Sequence, residues 1–198
     1  MAFVLAASSS TSWAQSHRYT IDPAGSRIVV HVGKTGLLGF AGHEHEIRAP
    51  LGGGTLVVDL GHVEASSADL RFDARTLRVV DQGEPPKDVP KVQEAMVGPD
   101  CLDVRRFPEI RFVSRTIGAK DSARRGLEVT VRGTLTLHGV SREVTVPVHV
   151  TVGNNLLSAT GTMTLKQTNF GIKPIAVAGV VKVKDELRIE LTLVARRL

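Results

Sequence analysis

The sequence predicts a mainly β protein whose antiparallel strands close into a barrel, with one short helix. Apolar residues alternate with polar ones through much of the 198-residue chain, turn residues separate these segments, and one segment alone has helical spacing. The chain shows no alternation of strands and helices, so the choice lies between a barrel and a sandwich. We favour a barrel of about eight strands, because closure removes sheet edges and such a barrel can hold one small ligand.

The alternation is clearest in EVTVPVHVTV, where five valines between Val144 and Val152 share one face. The same rhythm occurs in RIVVHV, TLVVDL, VRGTLTL and LRIELTL. Pro147 lacks an amide hydrogen, so we expect it at an edge, a bulge or a point where pairing lapses. The short turns HGVS and GNN predict hairpins with fixed register.

One segment, residues 88–98, is predicted to be helical. It starts with Asp88, a favoured N-cap residue, and has Pro90 in its first turn. Its apolar residues recur three and four positions apart as far as Met96, before Gly98 and a proline end it. This apolar stripe must lie on the sheet or over an opening in it.

The N-terminal residues 1–14 are apolar or small and end in Ser12-Trp13-Ala14, which resembles a signal-peptidase site. We therefore interpret them as a signal-peptide remnant and expect the protein in the periplasm or secreted. No stretch approaches 18 apolar residues, so no transmembrane helix is predicted. Cys101 is the single cysteine, which excludes an intramolecular disulfide and predicts a buried thiol.

The chain carries a net charge of +5, which would favour contact with an anionic membrane surface. Nucleic acid is not expected as a partner, because only 4% of the residues are aromatic and base stacking needs aromatic side chains. The basic residues are also scattered rather than clustered. The sequence leaves open whether the protein is a monomer or a homodimer.

Two histidines and two glutamates alternate in GHEHEI at residues 42–47. On a strand, His43 and His45 would lie on one face about 7 Å apart, and a third ligand could complete a zinc or copper site. The candidates for that ligand are His31, His62, His138 and Glu44. The alternative is that His43 and His45 form cross-strand hydrogen bonds or line a polar mouth. We expect both at the barrel rim, with Ile47 on the same inward side.

The sequence resembles the YceI-like lipid-binding (polyisoprenoid-binding) family over about residues 18–197. The resemblance depends on four segments that occur in this order: YTIDPAGSRI, LDVRRFPEIRFVS, RGTLTLHGVSREVTVPV, and TNFGI followed by VVKVKDELRIEL. It implies a single, extended, lipocalin-like barrel whose interior accepts an isoprenoid or fatty-acyl chain. This chain has QTNFG where the family often has an Arg-Ser-Asp-Phe-Gly type of motif, so the ion pair of that motif is absent.

The resulting hypothesis is a non-enzymatic, exported binding protein for a long-chain amphiphile, with no cofactor. Catalytic patterns such as GxSxG, a P-loop, CxxC or HExxH do not occur in the sequence. The head group is expected near the rim histidines, and the tail inside the barrel. The alternative hypothesis is a metal-binding protein or metalloenzyme that uses His43 and His45. The predicted ligand-binding residues are His43, His45, Met96, Phe107, Phe112, Asn169 and Phe170.

Overall fold

The computed structural model of the chain is a closed antiparallel barrel with eight staves. A stave here means one wall element of the barrel, which is either a single strand or two consecutive strands in line. The structure describes residues 16–35, 45–80, 86–123, 126–174, 176–177 and 181–198. The strands are β1 (His17–Ile21), β2 (Arg27–Thr35), β3 (His45–Arg48), β4 (Leu51–Val58), β5 (Ser67–Asp73), β6 (Arg78–Val79), β7 (Glu109–Ala123), β8 (Gly126–Leu137), β9 (Val140–Val152), β10 (Leu156–Lys166), β11 (Ala176–Val177) and β12 (Val181–Arg197). The α-helix is α1 (Val89–Val97), and 3-10 turns occur at Val63–Ala65, Ala74–Thr76 and Gln167–Phe170.

The barrel is closed because β12 pairs with β10 on one side and with β1 and β2 on the other. Around the ring the order is β1, β4, β5, β7, β8, β9, β10 and β12, and every neighbouring pair is antiparallel. The predicted fold class, an antiparallel barrel of about eight strands with one short helix, is therefore confirmed.

Three staves are each made of two strands, and β11 pairs with β12 outside the ring, which is why the twelve strands form only eight staves. The first consists of β1 and β2, the second of β3 and β4, and the third of β5 and β6. The second stave bends at Ala49-Pro50, where the proline has no amide to donate to the ladder. The third bends at a 3-10 turn whose first residue, Ala74, follows the N-cap Asp73. Although it bends, the second stave extends from His45 at one end of the barrel to Val58 at the other.

Pro147 lies where the pairing of two strands ends. The ladder between β9 and β10 covers Val148 to Val152 and stops before Pro147, which pairs only with Thr130 of β8. The pairing between β9 and β10 therefore ends at the proline, as the sequence predicted. Beyond this point the strands diverge, and the 3-10 turn Gln167–Phe170 contacts both of them. The β8–β9 hairpin has the two-residue turn His138-Gly139, both with positive φ, which fixes the predicted register.

Helix α1 covers the third stave beside β6. The Gln93 side chain accepts a hydrogen bond from the Val79 amide at 2.9 Å and donates one to the Leu77 carbonyl at 3.0 Å. The Gln93 side chain thereby makes the hydrogen bonds that a neighbouring strand would make with the edge of β6. Met96 is the buried residue of the helix and packs in a cluster with Leu77 and Val79. Asp88 occupies the N-cap position as predicted, but its side chain makes no capping hydrogen bond.

Candidate binding cavity

The barrel encloses an elongated apolar cavity of about 280 Å³, close to the lower end of the usual range for small-molecule pockets, about 300 to 1,000 Å³. Alternate residues of each stave form its wall, as in Leu157, Ala159, Met163 and Leu165 of β10. At about 3.3 Å per residue, the span from Leu157 to Leu165 is about 26 Å along the strand. The space is therefore long and narrow rather than spherical.

Among the described lining residues, polar side chains other than the Cys101 thiol occur only at the two ends of the cavity. Asp59, Ser66 and Ser67 lie at one end, where the second stave finishes and the third begins. Gln167 lies at the opposite end, after the last residue of β10. We call these the Asp59 end and the Gln167 end. The wall between them is aliphatic and aromatic, with two methionines, Met96 of α1 and Met163 of β10.

The Asp59 end reaches the protein surface. Leu60 lines the cavity although 58% of it is exposed. Asp59 beside it is only 7% exposed, and its Oδ1 accepts hydrogen bonds from the backbone amides of Gly61 at 2.9 Å and His62 at 2.8 Å. The Asp59 amide in turn donates to the Ser66 Oγ at 3.0 Å. A tight turn thus holds a carboxylate at the entrance of an apolar cavity.

The Gln167 end is filled by side chains in the part that the structure describes. Gln167 is 7% exposed, and its side chain donates to the Lys184 carbonyl at 2.8 Å. Phe170 and Ile172 are buried nearby and pack against Leu165. Of the two ends, the Asp59 end is thus the one where a cavity-lining side chain is largely exposed.

His45 begins β3 at the Gln167 end of the barrel and is buried. It pairs with Val32, a cavity-lining residue, and therefore belongs to the inward face. Ile47 lines the cavity two residues later, whereas Glu46 lies 3.9 Å from His31 on the opposite face. The register is the one that the sequence predicted. His43 and Glu44 lie outside the described residues.

The other predicted metal ligands are dispersed around the barrel. His31 lies on the face opposite to His45, near Glu46 and Glu190. His62 is at the Asp59 end, and the ring of His138 packs edge-on against Phe107 at the β8–β9 turn. Within the part of the chain that the structure describes, no three His, Cys, Asp or Glu side chains are grouped closely enough to hold a metal ion. Because His43 is outside that part, the metal site stays a prediction.

The remaining predicted ligand-binding residues fall into two groups. Met96 and Phe112 line the cavity. Phe107 packs against His138 and Phe170 is fully buried in the core at the Gln167 end, so neither contributes to the lining. Asn169 is exposed on the 3-10 turn beside Phe170. Phe112 packs against the cluster that contains Phe170, whereas Met96 belongs to a different cluster.

Sequence reasoning missed the residues of the Asp59 end. Asp59 and Leu60 belong to the segment TLVVDL, whose alternation predicts only a strand. The available signal was an acidic residue followed by Leu-Gly directly after an apolar strand. Such a residue can cap the turn with one carboxylate oxygen and leave the other at the strand end.

Charge within the lining is sparse. Burial raises the pKa of the Cys101 thiol to about 11, so this residue is a neutral thiol at physiological pH. The described lining contains no lysine, arginine or histidine, and Asp59 is its one carboxylate. Such a wall can shelter an apolar chain, and its polar groups can orient one end of that chain.

A closed antiparallel barrel around an apolar cavity defines a binding barrel, a class in which the interior holds an apolar small molecule. The comparison with protein families agrees with this class. The chain belongs to the YceI-like family, because the model described as the YceI-like domain matches residues 19–195.

Solved structures share the fold. The crystal structure of BcnA from Burkholderia cenocepacia aligns with a TM-score of 0.70 and 21% identity, covering 88% of this chain and 98% of that protein. A YceI protein from Campylobacter jejuni aligns with a TM-score of 0.54 and 14% identity, covering 75% of this chain and 83% of that protein. No curated protein matches the chain. Within the described residues, no helix combines the length and apolar content needed to cross a membrane.

Proposed function

We propose that the protein is a non-enzymatic binding protein that holds the apolar tail of a long-chain amphiphile, an isoprenoid or fatty-acyl lipid, inside the barrel. The observation that carries this proposal is the continuous apolar cavity, which has polar side chains only at its ends. An amphiphile has the matching distribution of polarity. A chain of ten methylenes gains about 8 kcal/mol on burial, part of which offsets the entropy lost on binding.

The incomplete burial of side chains in the cavity wall also supports the binding of a lipid tail. Val131, Met163 and Ile189 point into the barrel and yet are only half-buried. An interior filled by its own side chains would bury such residues completely. A barrel that only packs its own core is therefore less well supported than a barrel that binds a ligand.

The first experiment is organic extraction of the purified protein followed by mass spectrometry, which should release a lipid with a long apolar chain. The second measures the binding of N-phenyl-1-naphthylamine, a fluorescent apolar probe, to Met163→Trp. Met163 packs against the core clusters at both ends of the cavity, so a tryptophan there should block its middle. We expect at least a tenfold loss of probe affinity.

The matched control is Thr162→Trp on the same strand, because Thr162 is exposed on the outer face. This variant should bind the probe like the wild type. Equal affinity of Met163→Trp and the wild type would show that the probe does not occupy the barrel. A protein that is empty after purification and that binds neither this probe nor a long-chain lipid would refute the proposed function.

We also propose that the protein is exported to the periplasm or secreted. The support is the composition of residues 1–14, which lie outside the described part of the chain. Intact-mass measurement of the native protein should show that these residues have been removed. A native protein that retains Met1 in the cytoplasmic fraction would contradict export.

A further inference from the structure

The Asp59 end has the geometry of a head-group site rather than of a simple turn. Asp59 is more than nine-tenths buried and lies in the wall of the cavity. Both of its turn-forming hydrogen bonds go to Oδ1. Oδ2 receives no hydrogen bond from any residue that the structure describes. One carboxylate oxygen is therefore engaged by the fold, and the other remains available to a ligand.

The surroundings of Asp59 determine which ligand that oxygen can accept. A carboxylate oxygen accepts hydrogen bonds and repels other anions, and both effects are strong where little water screens them. His62 lies 3.8 Å from Oδ1, but its side chain is 65% exposed and points to the oxygen already engaged by the backbone. No lysine or arginine occurs among the described lining residues, so no fixed cation would offset an anionic head.

Two further observations place the head group here. Ser66 and Ser67 line the cavity together with Asp59. The Ser66 Oγ accepts a hydrogen bond from the Asp59 amide, so the Ser66 hydroxyl can donate its hydrogen to another group. Leu60 is exposed at the same end, so a ligand that enters here tail first leaves its head beside Asp59. Gln167, at the other end, uses its amide to donate to a backbone carbonyl.

We propose that the Asp59 end binds the polar head of the amphiphile, and that Asp59 selects a head that donates hydrogen bonds, an alcohol or an amine, over a carboxylate or a phosphate. This inference rests on the proposed function and specifies its ligand class. It also locates the head group at the end of the barrel opposite to His45. The sequence alone had suggested the histidine end.

The experiment compares ligands that share one tail. Dodecanol, dodecylamine, dodecanoic acid and dodecyl phosphate compete with N-phenyl-1-naphthylamine for the full-length protein at pH 8. We expect the alcohol and the amine to displace the probe at concentrations at least tenfold lower than the acid and the phosphate. In Asp59→Asn this preference should fall about tenfold, because asparagine keeps an oxygen for the turn and removes the charge.

The matched control is Asp22→Asn. Asp22 caps a turn in the same way, with Oδ1 accepting from the amides of Ala24 at 3.1 Å and Gly25 at 3.2 Å, but it is not part of the cavity lining. This variant should keep the wild-type preference. The wild-type ranking needs no variant, so it tests the inference even if Asp59→Asn does not fold.

Two results would overturn the inference while leaving the proposed function intact. One is a wild-type protein in which the acid or the phosphate competes as well as the alcohol. The other is a preference that remains unchanged in a folded Asp59→Asn. If none of the four ligands displaces the probe, the proposed function fails with the inference, and this result is distinct from an altered ranking.

Discussion

Replacing Gly133 by alanine should destabilise the barrel, because the position has no room for a side chain. Gly133 is a buried residue of β8 and pairs with Ser114 of β7. A Cβ atom at this position would lie 2.5 Å from the Val113 carbonyl oxygen and 2.6 Å from Cζ of Phe112. The phenyl ring can rotate away, but the carbonyl belongs to the neighbouring strand, so β7 itself would have to shift.

The magnitude follows from two opposing effects. Overpacking of this severity costs about 3 kcal/mol, while removing the flexibility of a glycine returns about 1 kcal/mol. The free energy of unfolding should therefore fall by about 2 kcal/mol. For a chain of this size that corresponds to a decrease in Tm of about 4 to 8 °C. Circular dichroism at a β-sheet wavelength would follow the transition, and urea unfolding would give the free energy directly.

Gly118→Ala is the matched control on β7. Gly118 is exposed, and an added Cβ would meet no atom within 4 Å. This substitution should leave Tm unchanged or raise it slightly. A Gly133→Ala protein as stable as Gly118→Ala would refute the packing argument. In the double variant with Phe112→Ala, the clash with the ring is removed and the clash with the carbonyl remains, so Gly133→Ala should still be destabilising in that background.

Two further predictions concern ionisable groups. Hydrogen bonds from the Arg111 guanidinium lower the pKa of the Asp69 carboxyl below its ordinary value of 3.8. A depressed pKa contributes stability that is present above pH 4 and is lost as the pH falls through the folded-state pKa. Because both side chains are partly exposed, Asp69→Asn should cost less than about 1 kcal/mol at pH 7. In urea titrations this difference from the wild type should shrink as the pH is lowered below 4; a constant difference would contradict this. The Cys101 thiol, with its pKa raised to about 11, should react with Ellman's reagent at pH 8 far more slowly in the native protein than in guanidinium. Equal rates would show that it is not buried.

The sequence predicted the barrel strands well, because period-two alternation directly reports which residues face an apolar interior. In LRIELTL, for example, Leu187, Ile189 and Leu191 line the cavity as their spacing predicts. Pro147 marked the end of a ladder for a reason that lies entirely in its own chemistry, the missing amide hydrogen. Features caused by one residue or by a short-range pattern could thus be predicted.

The site was less predictable, because it depends on which distant residues meet at each end of the barrel. His45 belongs to an unusual sequence motif, whereas Asp59 is a single acidic residue at the end of a strand. Its significance comes from its burial and its position in the cavity wall, which only the closed barrel establishes. Likewise, Gln93 could not be recognised as the residue that hydrogen-bonds the edge of β6, since its partners lie fourteen and sixteen positions away.

Barrel closure by β12 also determines when the binding compartment comes into existence. This strand follows all the other staves in the chain and joins β10 to β1 and β2, with Leu165 paired to Leu187 on one side and Val32 paired to the same Leu187 on the other. During synthesis the first seven staves can form at most an open, curved sheet whose apolar face is in contact with water. A ligand must therefore either enter a completed barrel or be enclosed as the final strand joins it, and no partially synthesised chain can serve as a carrier.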